Sequence, residues 1–155
     1  MAAKRSAPKV SAQDYIPQLM TRLLAAVNNS GGRDLASLGL STQAARTLVT
    51  LMDHGPMRVS RLADLVGLEP TGLSHLMRAL GQRGLIDRER DDGDHRAVIA
   101  ALTPQGRTLA RRCADLHARH ESALLRDLPH DEANRLRDVL RRMISNMGGS
   151  AQAAE

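Results

Sequence analysis

Apolar positions recur at helical spacing near both ends of the chain, which predicts two helices that each carry one apolar face. Near the start this spacing runs from residue 15 to residue 27, and the turn-forming stretch 28–34, "NNSGGRD", predicts that the first helix ends there. The apolar positions of the two faces are Ile16, Leu19, Met20, Leu23, Leu24 and Val27 near the start, and Leu136, Val139, Leu140, Met143, Ile144 and Met147 near the end.

The middle of the chain contains strong helix start and stop signals. A second helix is predicted to begin at Ser41 or Thr42, either of which can cap it, and to stop at the Gly-Pro pair 55–56. Two short helices follow. The Thr-Pro pair 103–104 then predicts the start of a long helix that runs to about Leu128, because threonine caps helices and proline is favoured at the first helical position.

A strongly charged stretch separates two short apolar runs of strand-forming residues, 85–86 and 98–102. Seven of the nine residues 88–96 are charged. This pattern predicts a two-stranded ribbon whose tip carries arginines and aspartates. The order of elements is helices, ribbon and helices, so the sequence predicts a mainly α fold with a small two-stranded β wing.

The length of 155 residues is sufficient for one hydrophobic core, so we expect a single domain over residues 13–147. Residues 1–12 and 148–155 are expected to be a disordered arm and a disordered tail. Cys113 is the one cysteine, which excludes an intramolecular disulfide and is typical of a reducing compartment. No apolar stretch has the length of a signal sequence or a membrane span, so a cytoplasmic location is expected.

Composition narrows the function classes without locating a site. Tyr15 is the one aromatic residue, which excludes binding of single-stranded nucleic acid by stacking of bases on aromatic side chains. The net charge of +5 and the isoelectric point of about 10.6 favour a polyanionic partner. However, residues 58–96 contain seven arginines and seven acidic residues, so this segment is neutral overall.

Residues 59–77, "VSRLADLVGLEPTGLSHLM", have the pattern of a helix-turn-helix. Ala63 is small where the first helix must approach the second, and Gly67 permits the positive φ of the tight turn. Leu73 gives an apolar contact between the helices. The second helix then presents groups suited to base edges and phosphates, although an ordinary helical hairpin is the alternative interpretation. These groups are Thr71, Gly72, Ser74, His75 and Arg78.

The ribbon follows this second helix directly, which makes the pattern a winged helix-turn-helix. An arginine at the ribbon tip can reach phosphates and the minor groove of DNA, where negative potential is concentrated. The neighbouring aspartates can hydrogen-bond the guanidinium and fix its direction, which lowers the entropy lost on docking. The alternative is a solvent-exposed hairpin whose charges neutralise one another.

Several motifs resemble those of the multiple-antibiotic-resistance regulator (MarR) family of bacterial transcription factors. They are "HGP" at 54–56, "L-x-x-RGLI-x-R" at 80–88, and Asp94-x-Arg96 followed by "LTPQGR" at 102–107. The resemblance extends from about Leu38 to Met147. The sequence departs from the family pattern at three places, which affects the DNA sequence that it would recognise. These are Arg58 in place of a serine or threonine cap, the run Pro70-Thr71-Gly72, and His95 where arginine is frequent.

The resemblance implies a winged helix-turn-helix with a helical dimerisation region from both termini, formed by residues 13–40 and 104–147, and a DNA-binding lobe over residues 41–103. It also implies a repressor of transcription that binds double-stranded DNA as a homodimer and recognises an inverted-repeat operator. Arg96 would enter the minor groove, and Asp94 would hold it. The residues expected to contact DNA are Arg58, Thr71, Gly72, Ser74, His75, Arg78, Arg88, Arg90, Asp94, His95 and Arg96.

Members of this family commonly bind small aromatic acids, so the resemblance also implies an aromatic or heteroaromatic carboxylate as effector. A carboxylate needs a cation or strong donors, and an aromatic ring needs soft apolar walls. Arg46 lies within an apolar helix and needs a partner, either an effector or an acid such as Asp53. The candidate effector-binding residues are Tyr15, Gln18, Arg22, Arg46, His117 and His120.

Other function classes have weaker support. The sequence contains no glycine-rich phosphate loop, nucleophile elbow or paired carboxylates in an apolar setting, so neither an enzyme nor a cofactor is expected. Cys113, His117 and His120 have a spacing that would permit zinc binding on one helix, which leaves a zinc- or redox-responsive regulator as the alternative. A buried, inert cysteine is the other interpretation. An architectural DNA-binding protein without sequence preference is also conceivable.

Overall fold

The computed structural model describes residues 11–90, 93–94 and 97–147, which form a mainly helical fold with one small antiparallel sheet. The predicted arm and tail lie outside the described residues, except for residues 11–12. The helices are α1 Ile16–Ser37, α2 Thr42–His54, α3 Val59–Val66, α4 Pro70–Gln82, α5 Pro104–Leu124 and α6 His130–Asn146. The strands are β1 Met57–Arg58, β2 Ile86–Arg90 and β3 Val98–Leu102.

Two helix starts are capped as the sequence predicts. The Ser41 hydroxyl oxygen accepts a hydrogen bond of 3.1 Å from the Ala44 N–H at the start of α2. The Thr103 hydroxyl oxygen accepts one of 2.9 Å from the Gly106 N–H at the start of α5. The same hydroxyl donates to the Gly84 carbonyl at 2.7 Å, so the cap of α5 is also tied to the end of α4.

The sheet contains three strands in the order β1-β3-β2, one more than the predicted two-stranded ribbon. Ile86 pairs with Leu102 in the predicted hairpin, whereas Met57 pairs with Ala100 on the other side of β3. The third strand is two residues long, which is too short for a detectable alternation of apolar and polar residues. Its pairing depends on β3, which lies about forty residues further along the chain.

The prediction that the first helix ends at residues 28–34 is wrong, because α1 continues through this stretch to Ser37. Gly31 is buried against α5, and a Cβ added to it would lie 2.6 Å from Cε1 of His120. The absence of a side chain at this position therefore lets the two helices approach closely. Tertiary packing of this kind outweighs the weak helix propensity of asparagine, serine and glycine.

The core is aliphatic and lies in the middle of the chain, where α2, α3, α4, the sheet and the first half of α5 meet. By contrast, the apolar faces of α1 and α6 are largely exposed: Leu23 has an exposure of 48% and Val139 of 47%. Exposed apolar faces of this extent are typical of surfaces that are covered by another molecule. None of the helices in the described part of the chain has the length and apolar character needed to cross a membrane.

Candidate nucleic-acid interface

The helix-turn-helix has the geometry that its sequence predicts. Gly67 ends α3 in the left-handed region, with φ of 67° and ψ of 42°, which sets the tight turn. Pro70 is the first residue of α4, where its missing N–H costs no helical hydrogen bond. Leu73 and Met77 anchor α4 in the core, so the side of this helix that faces away from the core is fixed.

The residues predicted to read DNA share that outward side of α4. All five are exposed, and their side chains offer hydroxyl, imidazole and guanidinium groups with a small gap at the glycine. A helix that buries one side and exposes donors and acceptors on the other is suited to the major groove. These residues are Thr71, Gly72, Ser74, His75 and Arg78.

A cleft of about 420 Å³ lies between α4 and the sheet, and four of the predicted DNA-contacting residues line it. They are Arg58, Ser74, Arg88 and Asp94. Ser60, at the start of α3, also lines the cleft and was missed by the sequence analysis. In the sequence, Ser60 is marked only by lying two residues after Arg58, and this position does not indicate that its side chain lines the cleft. The folded structure thus joins the recognition helix α4 and the wing into one surface.

Arg58 stands at the start of α3, at a position where a serine or threonine could cap the helix. Its side chain makes no capping hydrogen bond with α3, because a guanidinium cannot accept one. Its Nη1 instead lies 3.8 Å from the Asp94 carboxylate oxygen Oδ2, with both side chains about half exposed. Arg58 is therefore oriented toward the wing. Arg88 and Arg90 are exposed on β2, whereas the predicted contacts of His95 and Arg96 lie outside the described residues.

Three of the candidate effector residues lie along the junction of α2 and α5. The Arg46 guanidinium donates to the carbonyl of Val66, the last residue of α3, at 3.3 Å, so the partner of this cation is not Asp53. Burial lowers the pKa of His117, and the neighbouring Arg46 and His120 charges lower it further, so this ring is neutral at pH 7. The His120 Nε2 lies 3.3 Å from the Asp34 carboxylate of α1.

The other three candidates lie apart from this junction. Tyr15, Gln18 and Arg22 are exposed on the first turns of α1, where they line an open cleft of about 700 Å³ with Ala12 and Gln13. No described residue of α2 or α5 lines that cleft. A single chain therefore does not bring the two groups of candidates together, and the combined effector site stays a prediction.

The three side chains of the alternative metal centre, Cys113, His117 and His120, do not converge in the structure, and the redox alternative stays a prediction. Among the described residues, no three histidine, cysteine or acidic side chains are placed to hold a metal ion together. Cys113 is fully buried in the aliphatic core, whereas the two histidines face Arg46 and Asp34. Burial raises the pKa of the Cys113 thiol, which disfavours the reactive thiolate.

The fold and the surface define a winged helix-turn-helix of the kind found in DNA-binding transcriptional regulators. Comparison with known proteins places the chain more narrowly. Residues 40–98 match the MarR family model. The chain is 26% identical to a MarR-family transcriptional regulator from Silicibacter pomeroyi of known structure, with a TM-score of 0.79 over 92% of this chain and 96% of that one. The chain is therefore similar to MarR-family transcriptional regulators, and the family model matches its winged helix-turn-helix region.

The chain is also similar to two proteins whose regulatory roles are known. The organic hydroperoxide resistance transcriptional regulator of Bacillus subtilis is 27% identical over 82 residues, which cover 53% of this chain and little more than half, 56%, of that protein. The fold also matches that of Bordetella bronchiseptica BpsR, whose DNA binding is regulated by 6-hydroxynicotinic acid. That structure has a TM-score of 0.74 and 20% identity, over 83% of this chain and 97% of BpsR.

Proposed function

We propose that this protein is a transcriptional repressor that binds an inverted-repeat operator in double-stranded DNA as a homodimer. The observation that carries the proposal is the continuous surface formed by the exposed side of α4 and the arginines of the sheet. Its short polar groups can address base edges, whereas Arg58 and Arg88 can neutralise phosphates beside them. A cluster of exposed arginines alone could bind phosphates but could not address base edges.

The exposed apolar faces of α1 and α6 support the homodimer. Both faces lie outside the core that surrounds the helix-turn-helix, and each presents residues at the spacing of a helix-packing surface. A second copy of the chain would cover them and place two α4 helices on one face of the DNA. The exposed apolar residues of these faces are Ile16, Leu19, Met20, Leu23, Leu24, Leu136, Val139, Ile144 and Met147.

Footprinting tests the operator geometry. The parent protein is first allowed to select duplexes from a randomised pool, and the selected DNA is then footprinted. We expect two inverted half-sites whose centres are about 10 base pairs apart, because a two-fold dimer places its recognition helices one turn of DNA apart. Protection of a single asymmetric half-site, or binding without sequence preference, would contradict the proposal.

A small aromatic or heteroaromatic acid is the proposed effector, as 6-hydroxynicotinic acid is for BpsR. The junction of α2 and α5 supports an anion here because Arg46 has one weak carbonyl partner, at 3.3 Å, and keeps donors available. The neutral ring of His117 can donate a hydrogen bond at pH 7 without adding charge. Tyr15, Gln18 and Arg22 are proposed to complete the site from α1.

We expect such an acid to raise the thermal unfolding temperature Tm of the parent protein. At about 100 times its Kd a ligand stabilises the folded state by about 2.7 kcal/mol, and each kcal/mol raises Tm by about 2–4 °C for a chain of this size. A thermal-shift screen of benzoate, salicylate and nicotinate analogues measures this. Arg46→Ala and Arg22→Ala should reduce the shift, whereas Arg111→Ala, an exposed position on α5, should retain it. An equal shift in all variants would remove both arginines from the site.

A further inference from the structure

The ends of α1 and of the recognition helix α4 face each other across a short gap. Helix α1 closes with the Leu40 N–H bonded to the Leu35 carbonyl at 3.0 Å and with Gly39 at φ of 65°. Helix α4 closes in the same way, with the Leu85 N–H bonded to the Leu80 carbonyl at 3.0 Å. With the second bonds from Gly39 N–H to the Ala36 carbonyl and from Gly84 N–H to the Gly81 carbonyl, each at 2.9 Å, both ends form a Schellman motif, which holds the backbone after a helix in one conformation.

The side chain of Arg83, the residue that caps the C-terminus of α4, spans the gap. Its Nη1 donates to the Gly39 carbonyl at 2.7 Å, and its Nη2 donates to the Leu38 carbonyl at 3.4 Å. The planar guanidinium is suited to two adjacent acceptors, whereas a lysine ammonium is a single point charge. The Arg83 side chain is exposed to solvent, yet its two hydrogen bonds to the backbone after α1 fix its direction.

The positive charge of Arg83 also stabilises the partial negative charge at the C-terminal end of α1. The last carbonyls of a helix carry partial negative charge, which a nearby cation stabilises. The last turn of α1 contains no basic residue of its own. Arg83 supplies this cation from a different helix, so the compensation of the end of α1 connects two parts of the fold.

Among the described residues, Arg83 makes the direct polar connection between the ends of α4 and α1. Helix α1 packs mainly on α5 and α2, whereas α4 packs mainly on α3 and β2. Among the described side chains, the hydrogen bonds that join α4 to the junction of α1 and α2 are those of Arg83. One guanidinium therefore restrains the C-terminal end of the recognition helix directly against α1, whereas the bond from Thr103 to Gly84 restrains it against α5.

We propose that Arg83 is a positioning residue that holds the recognition helix at a defined angle to α1 and so sets the separation of the two recognition helices in the dimer. The proposal rests on the proposed function, because α1 transmits the geometry of the dimer only if it lies at the dimer interface. Arg83 acts through α4 and need not touch the bases.

The test compares Arg83→Gln, Arg83→Lys and the charge-matched control Arg111→Gln, which removes an exposed arginine from α5. The probe is the duplex that the parent protein selects, together with versions in which one base pair is inserted or deleted between the half-sites. We expect Arg83→Gln to lose affinity about tenfold, because charge-assisted bonds are lost in each protomer. It should also discriminate less between the three spacings. Arg83→Lys should be intermediate, and Arg111→Gln should match the parent.

Salt dependence separates positioning from direct phosphate contact. A lost phosphate contact flattens the slope of log affinity against log salt by about one unit, whereas a lost positioning contact leaves the slope unchanged. An Arg83→Gln variant with parental affinity and parental spacing preference, or with a flattened slope, would overturn the inference. If the parent protein itself selects no DNA, the proposed function fails instead. Circular dichroism and sedimentation confirm that each variant is folded and has the oligomeric state of the parent.

Discussion

Val139→Asp should convert the protein to a monomer and reduce operator affinity about 100-fold or more, since linking two binding modules raises avidity by 10²–10⁴. Val139 lies on the apolar face of α6 and has an exposure of 47% in the single chain. A carboxylate at this position would have to be desolvated in the proposed interface without a partner, which costs several kcal/mol. The same substitution is tolerated in the monomer because the site is open to water. Sedimentation velocity at micromolar concentration and fluorescence anisotropy with the selected duplex measure the two effects.

Ser145→Asp is the matched control for this prediction. It adds the same charge to α6, and at 100° per residue it lies on the side of the helix opposite the apolar stripe. We expect it to remain dimeric with operator affinity close to that of the parent. Leu23→Asp on α1 should behave as Val139→Asp does, because both apolar faces belong to the proposed interface. A Val139→Asp protein that stays dimeric would place the interface elsewhere.

Gly106→Ala should destabilise the protein by about 3 kcal/mol, the upper part of the usual range for overpacking. A Cβ at Gly106 would collide with the carbonyl group of Leu85, and neither can rotate away, because a Cβ is fixed to its own backbone and the carbonyl is part of the backbone. That carbonyl also accepts the Thr103 N–H at 3.2 Å. The added methyl group would therefore separate the start of α5 from the end of the recognition helix. Thermal unfolding should show Tm lowered by roughly 10 °C, at about 2–4 °C per kcal/mol.

Gly32→Ala provides the control for the glycine substitution itself. Gly32 lies in α1, and a Cβ at this position would meet no atom within 4 Å. Alanine is favoured over glycine in a helix by roughly 0.5–1 kcal/mol, so Tm should be unchanged or slightly raised. A Gly106→Ala protein as stable as Gly32→Ala would show that α5 can move away from Leu85 at little cost.

Local signals in the sequence predicted the winged lobe well. The cap at Ser41, the left-handed turn at Gly67 and the Thr-Pro start of α5 all form within a few residues, so the residues that cause them are neighbours in the chain. The exposed side of α4 was predictable for the same reason, since the helical period determines which residues lie opposite Leu73 and Met77. Cys113 also lies in the core, which agrees with the apolar stripe that contains it.

Interactions between distant segments were not predictable in this way. The sequence indicated a helix end at residues 28–34, but the contact of Gly31 with the His120 ring lets α1 continue. The third strand and the cleft that joins Ser60 to the wing depend on pairing with β3. The spacing of Cys113, His117 and His120 permitted a metal centre, but helical spacing alone does not say whether three side chains point to one place. Cys113 points into the core and His120 toward Asp34.

By itself, the sequence determined the order of the helices and of the β2–β3 hairpin, the helix-turn-helix and the polar side of its second helix, because capping, turn geometry and helical period act over a few residues. Only the tertiary structure decided how these parts are held relative to one another. It directed Arg58 toward Asp94, tied Arg46 to the end of α3 and placed the Arg83 guanidinium on the end of α1. Each of these contacts joins residues 20 or more positions apart, and its formation depends on the packing of the whole core rather than on either segment alone.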